Sequence, residues 1–236
     1  MEIDIRFSMY QDTPLGRDPD TNSKTLNYYH EILWSKKLPN GEHLKLQGIK
    51  TKPYIIQSNN LSVDLTLSSD GIIHTYSKWK RMSHIIEQLP KEEVDDFFQL
   101  ASTIGGYVLF PYNKVNNKPT INGARGINSK IKDRFDLTLE CIRRWYLGID
   151  SPLKETFDRY EDFFNIFVNF KGYVDFFLLN DLVSEVYDEL LFWLPFEDFG
   201  VSNPLPKNFN DYMRYMKSII EFVNKRNQRI KNYTKE

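Results

Sequence analysis

Along the first third of the chain, apolar residues come in short groups separated by turn formers, not in long periodic runs. Pro14, Gly16 and Pro19 make Asp12 to Asp20 a loop, after which Asn22 or Ser23 caps a short helix with Leu26, Tyr29, His30 and Leu33 on one face. Pro39, Asn40 and Gly41 end it. Leu61, Val63, Leu65 and Leu67 then alternate with Ser62, Asp64, Thr66 and Ser68, the period of two of a half-buried strand. Ser69, Asp70 and Gly71 read as the turn of a β-hairpin that returns through Ile72 to Tyr76, and His43 to Ile49 supplies a third strand.

From Lys78 onward the period lengthens to that of helices. Pro90 opens one at its first position, with Glu92, Glu93, Asp95 and Asp96 near the positive end of the dipole and Val94, Phe97, Phe98 and Ala101 on the apolar face. Ile104 to Phe110, with Gly105 and Gly106 and closed by Pro111, reads as a short buried strand. A helix is expected from Ser129 to about Leu147. Its apolar face carries Ile131, Phe135, Thr138, Leu139, Ile142 and Tyr146, and its opposite, solvated arc carries Lys132, Asp133, Asp136, Glu140, Arg143 and Arg144. Ser151 and Pro152 start a helix bearing Phe157, Tyr160, Phe163, Phe164 and Phe167, and Gly172 to Tyr187 is apolar nearly all round, as in a central helix. Asn208 begins a last long helix with Phe209, Tyr212, Met216, Ile219 and Val223 on its stripe and a basic end from Lys225 to Lys231. The pattern predicts one globular domain over residues 1–236, with loops, a short helix and strands over 1–77 and mainly helices over 78–236. The class is α+β, a small, mainly antiparallel sheet with a helical majority in the C-terminal two thirds.

With 236 residues, 41% of them apolar, the chain can fill one sizeable core. It has no apolar run near the ~18 residues that span a bilayer, and its first residues lack the basic and apolar regions of a secretory signal. A soluble, cytoplasmic protein without a membrane partner is expected. Cys141 is the only cysteine, which excludes an intrachain disulfide and a multi-thiolate zinc site. His30, His43, His74 and His84 include no pair at zinc-binding helical spacing, so no metal site is expected, and no G-x-G-x-x-G or G-x-x-x-x-G-K-[ST] nucleotide fingerprint assigns a cofactor.

Charge alters this picture in one place. Over Asn113 to Arg134, six cations (Lys114, Lys118, Arg125, Lys130, Lys132 and Arg134) face Asp133 alone, a local charge of +5 in a chain of net charge −1. Asn122, Arg125, Asn128, Lys130 and Arg134 are therefore the candidate ligand-binding residues, in a loop opened by Gly123 and Gly126. Arg125 would clamp an anion, Lys130 would add a point charge, and Arg134 would anchor the site from the core side. Arg134 falls between Cys141 and Trp145 on the wheel, so it needs either a ligand anion or a core carboxylate, Asp175 or Asp181. The function expected is binding of a phosphate-bearing ligand, a nucleotide or short nucleic acid, with phosphoester hydrolysis using Glu140 or a histidine as base. His74 and His84, with Asp64 or Asp70 nearby, form a second acid and base candidate. No catalytic residue is assigned on this basis. The alternative is a non-catalytic protein whose basic loop docks an acidic partner.

The strings RDPDTNSKTLNYYHEILWSKKLPNGE, TIGGYVLFP, GARGINSKIKDRFDLTLECIRRWYLG and FKGYVDFFLLNDLV resemble a family of uncharacterised bacterial proteins known as a domain of unknown function. The resemblance spans nearly the whole chain. It implies no activity, substrate or catalytic residue.

Overall fold

A computed structural model describes residues 2–39, 41, 44, 46–49, 52–56 and 65–234, with backbone alone for 47–49 and 52–56. The elements in chain order are α1 (Pro19–Asn22), α2 (Lys24–Trp34), β1 (Leu46–Ile49), β2 (Lys52–Ile56), β3 (Leu65–Gly71), α3 (Ser83–Ile86), α4 (Lys91–Ala101), β4 (Tyr107–Pro111), α5 (Ile121–Ile127), α6 (Phe135–Tyr146), α7 (Lys154–Asp158), α8 (Glu161–Asn165), α9 (Phe170–Phe176) and α10 (Phe209–Tyr233). The α+β class with a helical majority toward the C-terminus is observed. The strands form one antiparallel sheet in the order β1-β2-β3-β4. Among the described residues no helix is long and apolar enough to cross a membrane.

Where structure is locally encoded, the sequence reading holds. Ser23 caps α2, its hydroxyl accepting from the Leu26 amide at 3.0 Å, and Leu26, Tyr29, His30 and Leu33 are buried. Asn208 caps α10 in the same way, accepting from Asp211 at 2.9 Å, a contact worth about 1 kcal/mol.

Long-range pairing changes the rest. Ser69, Asp70 and Gly71 do not form a hairpin turn; they continue β3 and pair with Leu109, Val108 and Tyr107 of β4. Backbone partners outside the local sequence thus outcompete the turn preference of Asp-Gly. Ile72 to Tyr76 is not a strand. Its carbonyls are met by α10 instead, Tyr215 donating to His74 and Tyr212 to Thr75, each at 2.7 Å. Of the other strand residues proposed, His43, Leu61, Ser62, Val63 and Asp64 lie outside the described residues, as does Asn40. Ile104 to Gly106 forms a 3-10 turn, and the buried strand begins at Tyr107. A Cβ on Gly106 would stand 2.0 Å from the Ala101 carbonyl oxygen, so the close approach expected of these glycines is real.

Three expected helices are interrupted. The helix expected from Ser129 begins at Phe135, because Lys132 and Asp133 both adopt left-handed φ, +49° and +62°. The helix expected from Ser151 is split into α7 and α8. The central helix expected over Gly172 to Tyr187 ends at Phe176, and Leu178 follows at φ +54°. Its apolar surround is nevertheless real: Phe163, Phe164, Phe167, Tyr173, Phe176 and Phe177 pack ring against ring, with Trp34 at their edge.

The basic end of α10 is only partly a surface feature. Arg226 is fully buried and donates to the carbonyls of Gly105, Tyr107 and Phe177 at 2.7 to 2.9 Å, pinning α10 across the start of β4. The charged arc of α6 turns inward as well. Asp136 and Glu140 are buried; Glu140 accepts from Arg143 and Arg144 at 2.7 to 3.0 Å, and the Asp136 Oδ2 also accepts the Trp193 amide at 2.9 Å.

Candidate functional site

Asn122 and Arg125 lie on α5, capped by the Thr120 hydroxyl, and not in an open loop; Gly123 and Gly126 are helical too. Arg125 is 1% exposed. Its guanidinium donates to the carbonyls of Asp133 (2.7 Å), Gly71 (3.1 Å) and Ile72 (3.3 Å), to Asn122 Oδ1 (3.2 Å) and to the Thr138 hydroxyl (3.4 Å). This fork therefore stitches β3 to the α5–α6 connection and clamps the backbone of the chain itself. Arg134 is also 1% exposed, as the wheel anticipated, but its carboxylate is local. It forms a two-pronged pair with Asp136 and donates to the Pro204 carbonyl at 3.3 Å.

The two acids considered as its partners are engaged elsewhere. Asp175 meets Lys171, Asn180 and Tyr187, and Asp181 meets Arg229 at 2.9 Å. Asn128 ends α5, donating to the Pro152 carbonyl at 3.1 Å and accepting from the Lys130 amide at 2.9 Å. Lys130 is exposed, with its ammonium 3.3 Å from the Gly200 carbonyl.

The base candidates fare differently. Glu140 is held by two arginines. His84 is exposed on α3, whereas His74 packs on Tyr76 and Trp79, with Asp133 4.0 Å from its Nε2. Burial lowers the His74 pKa against the pull of Asp133. His30 is neutral: its Nδ1 accepts from Trp34, which leaves Nε2 to donate to Ser69 at 2.9 Å, and burial pushes its pKa down to about 3. Cys141 is buried and its thiol is pushed up to about 12, so it is inert.

Asn122 does border a cleft, whose chemistry comes from residues outside the basic segment. A space of about 200 Å³ lies between α1, the end of β3, the start of β4 and α5; Tyr10, Asp18, Asp20, Thr75, Tyr107 and Asn122 are among its walls. Asp18 caps α1, accepting from the Asp20 amide at 3.1 Å, with Pro19 at the first helical position. Gly71 joins the two sides of the cleft. Its amide donates to Asp20 Oδ2 at 3.4 Å and its carbonyl accepts from Arg125 at 3.1 Å.

The other oxygen of Asp20, Oδ1, is buried and has no hydrogen-bond partner among the described residues. Burial first, and the negative charge of Asp18 second, raise the Asp20 pKa from 3.8 to about 7 against the opposing Gly71 amide and Arg125. Asp70, 5% exposed on β3, is raised well above the usual range by burial and then by Asp20, with the Ser68 hydroxyl at 3.2 Å as a partial offset. Tyr107 and Tyr10 are raised too, chiefly by burial and then by the neighbouring acids. Among the described residues no group of three or more His, Cys, Asp or Glu side chains is placed to hold a metal ion. The Asp18-Pro19-Asp20 string read only as the end of a loop, matching no ligand or nucleophile spacing, whereas the Asp18 cap and Pro19 at the first helical position make it the start of α1.

No curated protein and no solved structure matches the chain. One family model does, over residues 3–230, nearly the whole length. The chain therefore belongs to that family, DUF6994, described as a family of unknown function.

Proposed function

We propose that this protein is a cytoplasmic acid–base enzyme that uses Asp20 to move a proton on a hydroxyl- or amine-bearing group of a neutral or cationic substrate. The observation that carries the reading is the buried Oδ1 of Asp20, without a hydrogen-bond partner among the described residues, on a residue that lines a polar cleft and whose carboxyl titrates at about 7. A carboxyl of that pKa is half protonated at neutral pH and serves as either general acid or general base. Asp18 gives the cleft a negative wall that suits a hydroxyl or an amine better than a phosphate. The volume of about 200 Å³ admits one functional group, so the remainder of the substrate lies along the mouth near Tyr10 and Asn122. Hydrolysis is the reaction class that needs least beyond these groups, with Asp20 protonating the leaving oxygen or activating water.

The test is twofold. Infrared difference spectroscopy of the carboxyl band should show a group titrating near pH 7 that disappears in Asp20→Asn. A panel of chromogenic glycosides, esters and amides should show turnover that the same variant loses by at least a hundredfold. A carboxyl band with no component above pH 5.5 would overturn the reading. A second reading, a basic segment docking an acidic partner, is favoured by Lys114, Lys118 and Lys130 being exposed, with Ile127 70% exposed on the same stretch of chain. Replacing these lysines by glutamate would abolish such docking and leave turnover intact.

A further inference from the structure

Lys36 follows α2 and reaches over the rings of Trp34, Phe176 and Tyr233, with its ammonium 5.1, 4.7 and 4.4 Å from their centroids. It lies in the wall of an open cleft of about 480 Å³, which it shares with Lys37, Lys171, Asp175, Phe176 and Tyr233. That volume is in the range of sites for nucleotide-sized molecules.

Among the described residues the charges in this cleft do not cancel. Asp175 is its one carboxylate among the described lining residues, and it is already taken by Lys171, by Asn180 at 2.6 Å and by Tyr187 at 2.7 Å. Neither Lys36 nor Lys37 has a carboxylate within 4.0 Å among the described residues. The three ring faces lie within cation–π distance of the Lys36 ammonium.

We infer that this cleft binds the phosphate group of a small phosphate-bearing molecule, with Lys36 and Lys37 as its cationic contacts and Lys171 at the rim. Ammonium groups act as point charges that suit a tetrahedral dianion, whereas a flat carboxylate is better matched by the fork of an arginine. Burial and the nearby Arg226 push the Lys36 pKa down to about 7, against the pull of Asp175. An incoming dianion would raise it again, so binding takes up a proton near neutral pH and weakens as the pH rises. This inference does not depend on Asp20.

The experiment is calorimetry with AMP, ADP, inorganic phosphate and citrate at constant ionic strength, from pH 6 to pH 8.5, with Trp34 fluorescence as a second readout. ADP and AMP should bind more tightly than citrate, with affinity falling at least fivefold over that pH range. Lys36→Met keeps an apolar stem against the rings and should weaken binding at least tenfold. If it unfolds, Lys37→Gln combined with Lys171→Gln, both on exposed or rim positions, should weaken binding by a similar factor. Asp20→Asn should leave binding unchanged. No heat from any phosphate compound at millimolar concentration would overturn the inference. So would equal affinity in the lysine variants, or a loss produced by Lys130→Gln instead, which would return the anion to the Asn122–Arg134 segment. Preference for citrate over every phosphate would replace the ligand class.

Discussion

Asp20→Asn should make the protein more stable at pH values above ~4, by an amount that grows until about pH 7. The wild-type carboxyl has a folded pKa raised from 3.8 to about 7 by burial and Asp18. Its contribution is therefore fully favourable below pH ~4, where both folded and unfolded states hold the proton, and is lost progressively as the pH rises to about 7. At ~1.4 kcal/mol for each pH unit, the displacement amounts to about 4 kcal/mol of lost stability at pH 8. Asparagine is isosteric and uncharged, and its amide oxygen can still accept from Gly71. The variant should thus match wild type near pH 4 and exceed it by up to ~4 kcal/mol at pH 8, or roughly 8 to 16 °C in Tm for a chain of this size. Urea unfolding at pH 4.5, 6 and 8 measures the difference directly, and comparing two proteins cancels most of the titration they share. A variant no more stable than wild type at pH 8, or one with the same pH dependence, would refute the claim that Asp20 is held as a strained carboxyl. That result would also remove the basis of the proposed catalytic role.

Arg134→Ala should destabilise the protein by ~3 to 5 kcal/mol, because it leaves the fully buried Asp136 without its counter-ion; thermal denaturation measures the loss. Arg125→Ala should lose about 3 kcal/mol or more, far beyond the ~0.5 kcal/mol of an ordinary surface change, since it strands the carbonyls of Gly71, Ile72 and Asp133. The same variant should raise the Asp20 pKa further, which infrared titration of the carboxyl band detects. Gly106→Ala should cost at least ~3 kcal/mol or prevent folding, because its Cβ would meet a backbone oxygen at 2.0 Å; circular dichroism and urea titration of the purified variant decide it.

Features set within one turn of chain were written in the sequence itself. The Ser23 and Asn208 caps, the buried stripe of α10 and the full burial of the strand after Gly106 each follow from residues a few positions apart, whose preferences act before the fold exists. The need of Arg134 for a carboxylate was legible too, because an arginine on an apolar face is costly alone. Its identity was not, because Asp136 becomes a partner only once the helix starts at Phe135 and not at Ser129.

That shift depends on Lys132 and Asp133 taking left-handed φ, a conformation held by Arg125 grasping the Asp133 carbonyl from α5 and by Tyr76 donating to the Lys132 carbonyl at 2.6 Å. Neither contact has a local signature. The Asp20 cleft belongs to the same class. Asp18-Pro19-Asp20 is an ordinary helix start until β3 pairs with β4 and brings Gly71, Tyr107 and Asp70 against it. Charge counting located the six cations between Asn113 and Arg134, but sequence carries no term for desolvation. Burial, which only the tertiary structure assigns, turned two of those cations into internal clamps and moved one carboxyl to a pKa near 7.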